Sequence, residues 1–357
     1  MAQPLPVAVA RVLVVDDSVV VRRVVTRAFA NEPAVEVIGT ARDGRDALTK
    51  LEVLRPDVVI LDLDMPVMDG FETLAEIRRT HAEIPVIIFS HLTTRSATAT
   101  LDALALGAAD FALKPTADGI GLAEEHVRVE LLPLIEALTV PAAPSLTLAP
   151  SSTGARPADL RAGDGRVRAV VIAVSTGGPN ALAAIVGELP ADLPVPVLIV
   201  QHMPPVFTRM LAERLDRQSA LSVVEASAGD AVVPGRAYLA PGGHHMALSA
   251  AGGTVSVVLH DGAPEHFCRP AADVLFRAAV DVYGADVLAV VLTGMGRDGL
   301  RGAESVRGAG GSVIAQSEAT CAVASMPAAV SSAGLANAVV PLDDLGAALV
   351  HRVSRGR

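Results

Sequence analysis

Three acids, a hydroxyl and a lysine each follow an apolar run in the first third of the chain. Val12-Leu13-Val14-Val15 ends in Asp16-Asp17, Val58-Val59-Ile60-Leu61 in Asp62, Val86-Ile87-Ile88-Phe89 in Ser90, and Phe111-Ala112-Leu113 in Lys114-Pro115. Short branched-aliphatic runs read as strands buried on both faces, which deliver the next residue to the carboxyl edge of a parallel sheet. That edge is where open α/β sheets bind ligands. Asp17 and Asp62 offer hard oxygen ligands for Mg²⁺, with a main-chain carbonyl and waters completing an octahedron. Lys114 and Ser90 would hold phosphoryl oxygens, and Asp62 would be the nucleophile that forms an acyl phosphate. One Asp after a strand is ordinarily a helix N-cap, and one Lys-Pro a turn. Five such residues in this order point to a phosphoryl site.

A second set lies in the latter half. Ala169–Val174 runs straight into Ser175-Thr176-Gly177-Gly178-Pro179, with a helix-like Asn180–Leu189 behind it. A Ser on a tight strand-to-helix turn presents its hydroxyl beside free amides at a helix N-terminus, but is a weak nucleophile without a base. Pro196–Gln201 ends at His202, and Val287–Leu292 ends in the loop Thr293-Gly294-Met295-Gly296-Arg297-Asp298-Gly299. Ser175, His202 and Asp298 can therefore act as nucleophile, base and orienting acid, with the amides of Thr176 and Met295 as oxyanion donors. Taken singly, Ser-Thr-Gly-Gly also reads as an anion-binding turn and His202 as a satisfied loop histidine. The joint spacing is far more specific.

The elements that must position these groups follow from pattern and length. A chain of 357 residues suggests two domains. From 9 to 138, short strands alternate with amphipathic stretches, predicting a doubly wound parallel sheet. Residues 139–166 carry Pro141, Pro144, Pro150 and Pro157 among Ala, Ser, Thr and Gly without an apolar face, a linker composition. A second βα pattern fills 167–355, with further strand candidates at Val223–Ala226, Ala237–Ala240, Val255–Leu259 and Ser312–Ala315, and helices at Phe207–Asp216 and Ala271–Tyr283. The expected fold is thus α/β, two doubly wound parallel-sheet domains joined by a Pro/Ala-rich linker. With 51% hydrophobic residues but 3% aromatic and no Trp, the core must be built from Ala, Val and Leu.

A net charge of −10 argues against an output that wraps nucleic acid. No run of about 18 apolar residues is free of charges and breakers, so no membrane insertion is expected. The N-terminus lacks a basic region ahead of its apolar residues, and the expected location is the cytoplasm. Cys268 and Cys321 form no CxxC pair and read as incidental thiols. His244-His245, His260 and His266 lack zinc-like pairing and suit surface or substrate-groove roles. Arg297, Arg301 and Arg307 read as a solvated helix face.

Residues from about 10 to 135 resemble the receiver domain of two-component response regulators, a flavodoxin-like fold. The resemblance implies that Asp62 is the phosphoacceptor, Asp16, Asp17 and Asp62 the Mg²⁺ pocket, Ser90 and Phe111 the switch residues and Lys114 their lysine partner, with a histidine kinase as phosphodonor. The second half resembles the chemotaxis protein-glutamate methylesterases of the CheB family. The matching stretches are Ser175–Pro179, Gln201–Pro204 with Phe207-Thr208 and Leu211–Asp216, Ala240–Gly243, Arg269-Pro270 with Asp273–Phe276, Leu292–Gly299, and Gln316 through Met326-Pro327. This resemblance implies a Ser175, His202, Asp298 triad that hydrolyses glutamate methyl esters, and deamidates Gln, on the cytoplasmic helices of chemoreceptors. Phosphorylation of Asp62 would relieve inhibition by the receiver. Mg²⁺ would be needed for phosphorylation and no cofactor for ester hydrolysis.

Departures from the family pattern are Ala173 and Val174 for Gly and Ala before the nucleophile, Asp64 for Glu beside Asp62, and Cys268 and Ser325 for residues more often His or Gly. None removes a reacting group. They leave one alternative, a receiver-controlled module that binds the receptor without turning it over.

Overall fold

The computed structural model describes residues 9–116, 119–139 and 165–354. Two compact units result, Met1–Ser145 and Leu146–Arg357. Most of the expected linker 139–166 lies outside the described residues.

In the first unit, strands β1 (Ala10–Val15), β2 (Val35–Ala41), β3 (Val58–Leu61), β4 (Val86–Ser90) and β5 (Asp110–Leu113) alternate with helices α1 (Val19–Ala28), α2 (Gly44–Leu54), α3 (Gly70–Thr80), α4 (Thr94–Ala105) and α5 (Ile120–Thr139). The sheet order is β2-β1-β3-β4-β5, and every ladder is parallel. This is the doubly wound order whose ligand crevice opens where the chain reverses direction across the sheet, between β1 and β3. All four residues of β3 are buried, as its aliphatic run requires. The strand β2 is not marked by an apolar run, because its Glu36, Gly39 and Thr40 belong to an edge strand that pairs with β1 alone. Behind β3, Asp69 and Glu72 form a reciprocal capping box that starts α3.

The second unit holds β6 (Ala169–Val174), α6 (Gly178–Gly187), β7 (Val197–Gln201), α7 (Phe207–Gln218), β8 (Ser222–Glu225), β9 (Arg236–Leu239), β10 (His245–Ala251), β11 (Thr254–His260), α8 (Ala272–Tyr283), β12 (Val287–Val291), α9 (Leu300–Gly308), β13 (Ser312–Gln316), α10 (Ser325–Ser332), β14 (Ala338–Val340) and α11 (Leu342–Ser354). Seven strands run in the order β14-β13-β12-β6-β7-β9-β8, again all parallel. From β6 the chain passes to β7, on to the edge strand β8 and back to β9 between them, then crosses to β12 on the other side. The switch point therefore lies between β6 and β12, and the loops that leave those strands carry Ser175 and Asp298.

One strand expectation is corrected. Val255–Leu259 does not join the parallel layer; it lies in β11, paired antiparallel with β10 in a separate two-stranded ribbon. Gly252 and Gly253 connect the two with φ of 58° and 80°, the left-handed pair of a tight hairpin turn. The core is aliphatic, as composition demands, with the few aromatics used as fillers: Phe89, Phe207, Phe276 and Tyr238 are all among the fully buried side chains. No helix among the described residues is long and apolar enough to cross a membrane.

Candidate functional site

The carboxyl edge of the first sheet gathers the acids and the lysine. Lys114 Nζ lies 2.8 Å from Asp16 Oδ2 and 2.9 Å from Asp62 Oδ1, with the lysine side chain only 5% exposed. Leu63 N also donates to Asp62 Oδ1 at 2.9 Å. Burial raises the Asp62 carboxyl above its ordinary range, with the Lys114 charge opposing and Asp16 adding to the rise. For Lys114 burial acts downward, but Asp62 and Asp16 together outweigh it and hold the ammonium above its usual value. Asp17 is exposed at the rim. Asp16, Asp17 and Asp62 nevertheless offer oxygens that all lie within 4.8 Å of one another. Asp16 Oδ2 is buried against the Lys114 ammonium. An all-oxygen set of three converging carboxylates fits a hard divalent cation such as Mg²⁺. Ser90 is buried and receives the Thr100 hydroxyl at 2.9 Å, which ties it to α4. Phe111 is half-buried on β5.

In the second unit, backbone hydrogen bonds set the reacting groups side by side. Val174 pairs with Gln201 across β6 and β7. His202 N donates to Val174 O at 3.2 Å, and Ser175 N to Thr293 O at 3.0 Å. Ser175 and His202 are thus neighbours at the sheet edge, next to the loop after β12. His202 Nε2 meets Asp298 Oδ2 at 2.7 Å, with the imidazole side chain 11% exposed and the carboxylate 1%. No hydrogen bond links the Ser175 hydroxyl to His202 among the described residues; catalytic contacts of this kind commonly tighten only with substrate bound.

Asp298 is the fixed point of this site. Oδ2 also accepts from Ala272 N at 2.6 Å, and Oδ1 accepts from Asp273 N and Gly299 N, each at 2.9 Å. Burial alone would raise this carboxyl, but the His202 hydrogen bond and charge and the amides of α8 bring it below its ordinary value. For His202 burial acts downward, yet the Asp298 carboxylate, with the Cys268 thiol adding to it, pushes the imidazole above its ordinary value. Among the described residues the amides of Thr176 and Met295 donate to no protein acceptor, so both remain open to an oxyanion. Thr176 is buried, and its carbonyl takes the Thr293 hydroxyl at 2.9 Å.

Residues 170–349 match the family described as CheB methylesterase, and residues 12–122 match the response regulator receiver domain. A protein-glutamate methylesterase/protein-glutamine glutaminase of Nocardioides sp. is 48% identical over 353 residues, 97% of this chain and 96% of that protein. Another, from Trichodesmium erythraeum, is 44% identical over 96% of this chain and 99% of its own length. The crystal structure of the Thermotoga maritima CheB methylesterase catalytic domain aligns with a TM-score of 0.51 at 43% identity, covering 52% of this chain and 97% of that one. The chain belongs to the CheB methylesterase family.

Other groups at the CheB-family site escape a reading of motifs. Gln201 Nε2 donates to the carbonyls of both Ser175 (3.0 Å) and His202 (3.2 Å). Asp273, on α8, is fully buried and accepts from Gly302 N and His266. Its position in an amphipathic helix gives no hint of that burial. Cys268, read as a buried or incidental thiol, lies near enough to His202 to raise its proton affinity. His245 is corrected from a surface or groove residue to a buried structural one, since it bridges Ala271 N and Ala263 O.

Gly178 fits the site so closely that a Cβ would lie 1.9 Å from Gln201 Oε1 and 2.8 Å from Val174 Cγ2. Gly178→Ala must displace Gln201 and free both carbonyls it holds. The expected result is a fall in kcat of at least about tenfold with a folded protein, read by steady-state esterase assay beside circular dichroism. Lys114→Ala leaves two buried carboxylates without their cation, so the first unit should lose about 3 kcal/mol near neutral pH. That deficit should shrink on acidification, because Asp62, whose folded-state value is raised, favours the folded protein as it protonates. Urea denaturation at pH 8 and pH 5 measures both quantities.

Proposed function

We propose that the chain is a phosphorylation-regulated protein-glutamate methylesterase, with glutaminase activity, acting on the cytoplasmic helices of chemoreceptors. The observation that carries the reading is the 2.7 Å His202–Asp298 pair at the strand end beside Ser175. Since Nε2 shares its proton with Asp298, Nδ1 is the base for the Ser175 hydroxyl. Ser175 Oγ attacks the ester carbonyl as His202 takes its proton, and the amides of Thr176 and Met295 receive the oxyanion. The carbon–oxygen bond to the methoxy group then breaks, and His202 returns the proton so that methanol leaves. Water, deprotonated by the same imidazole, attacks the acyl-serine, and the glutamate carboxylate departs as Ser175 is reprotonated. A glutamine side chain follows the same course with ammonia as the leaving group.

Regulation is assigned to Asp62, whose carboxylate attacks the phosphorus of a phosphodonor, a histidine kinase in the cell, to give an acyl phosphate. Asp16, Asp17 and Asp62 would hold Mg²⁺, which when bound neutralises charge on the phosphoryl oxygens. Lys114 contributes its fixed positive charge, and Ser90 and Phe111 report the new state to the surface. Population shift between a restrained and a released catalytic unit is sufficient for control.

The test is methanol release from a methylated receptor fragment by the intact chain and by Ser175→Ala, each with Mg²⁺ and with or without a small phosphodonor. Release that rises with the phosphodonor and vanishes in Ser175→Ala is the expected outcome. No release from methylated receptor, with Asp62 shown to be phosphorylated, would overturn the catalytic reading in favour of a receptor-binding module.

A further inference from the structure

The turn Glu265–Cys268 lies directly against the catalytic pair. Its ends exchange two backbone hydrogen bonds, Glu265 N to Cys268 O at 3.2 Å and Cys268 N to Glu265 O at 2.9 Å. The two central residues, His266 and Phe267, have φ of 52° and 63°. Both therefore occupy the left-handed region, where tight hairpin turns favour Asn and Gly and a bulky side chain is strained. Packing gives no compensation at Phe267, which is 103% exposed, whereas Phe207 and Phe276 in the same unit are 0% exposed.

The strain is imposed by braces on either side. His266 Nε2 meets the buried Asp273 Oδ2 at 2.9 Å, and Glu265 pairs with Arg277, so the turn is clamped to α8. Asp273 N is one of the amides that hold Asp298. Cys268, the residue after Phe267, acts on His202 through its thiol. Phe267 is thus an exposed aromatic carried on a turn that is braced to the helix holding Asp298. Local strain that the fold does not need is retained where it serves a site.

We propose that Phe267 is a docking residue for the polypeptide that carries the scissile ester, packing on apolar residues that flank the modified glutamate of a receptor helix. The proposed contact is with the surface that presents the ester to Ser175. An aromatic anchor of this kind is the usual centre of a recognition patch. The proposal rests on the methylesterase reading given above.

Steady-state kinetics of the full chain on a methylated receptor fragment test it. Phe267→Ala should raise KM about tenfold, the loss of one aromatic anchor, with kcat within about twofold. Phe267→Leu should recover part of the loss. Phe267→Gly should raise KM as Ala does and yet raise Tm by about 2 °C, since glycine relieves the positive φ. An unchanged KM for Phe267→Ala, in an assay where the unmodified protein releases methanol, would overturn the docking role and leave the esterase reading standing. A fall in kcat with KM unchanged would also overturn it, assigning the turn to holding His202. Failure of the unmodified protein to release methanol would overturn both.

Discussion

A carboxylate buried at the start of a helix governs the catalytic unit. Asp298 is 1% exposed, and an isolated ion at that depth would be prohibitively costly. It is tolerated because the first amides of α8 point at it, with the positive end of the helix dipole behind them, and because His202 stands on its open side. The same contacts fix its rotamer. The imidazole consequently takes both an orientation and a raised proton affinity from a buried carboxylate. Much of the surrounding architecture keeps this arrangement in register: β6 and β7 place Ser175 beside His202, Gln201 ties their carbonyls together, and Thr293 and Gln316 pin the loop that carries Met295 and Asp298.

The receiver unit solves a related problem with a different cation. Asp16 and Asp62 share the permanent charge of Lys114, which suits a site whose own charge must change when a phosphoryl group arrives. A titratable imidazole there would make the resting state depend on pH. In the catalytic unit the opposite property is useful, because in the proposed mechanism the partner of Asp298 accepts and returns a proton in each half of the reaction. Both sites lie at carboxyl ends of parallel strands, where amides and helix starts converge.

Much of this was legible in the sequence because central parallel strands announce themselves as unbroken aliphatic runs. Asp62, Ser175, His202 and Asp298 each follow such a run directly or within one loop, so the placement of Asp62 at the edge of one sheet and of the other three at the edge of another followed from pattern alone. The strands that pattern missed are peripheral. β2 carries polar residues on an edge, β14 spans only Ala338–Val340, and β10 is half Ala and Ser. The supporting polar shell was hidden for another reason: Asp273, Gln201 and Cys268 act through partners distant in the chain or through burial that an amphipathic helix does not advertise. The hairpin β10–β11 did leave a signal in Gly252-Gly253, two glycines between extended runs. His266-Phe267 left none, because residues of those types are not turn formers and their left-handed backbone is imposed by the clamps around them.

Asp298 sets the proton affinity of His202, and an NMR titration of the ¹⁵N-labelled imidazole in the intact chain measures this. The midpoint should lie above the ordinary histidine value and fall to or below about 6.5 in Asp298→Asn, where burial acts without its counter-charge. A midpoint at or below about 6.5 in the unmodified protein, or one that Asp298→Asn leaves in place, would contradict it.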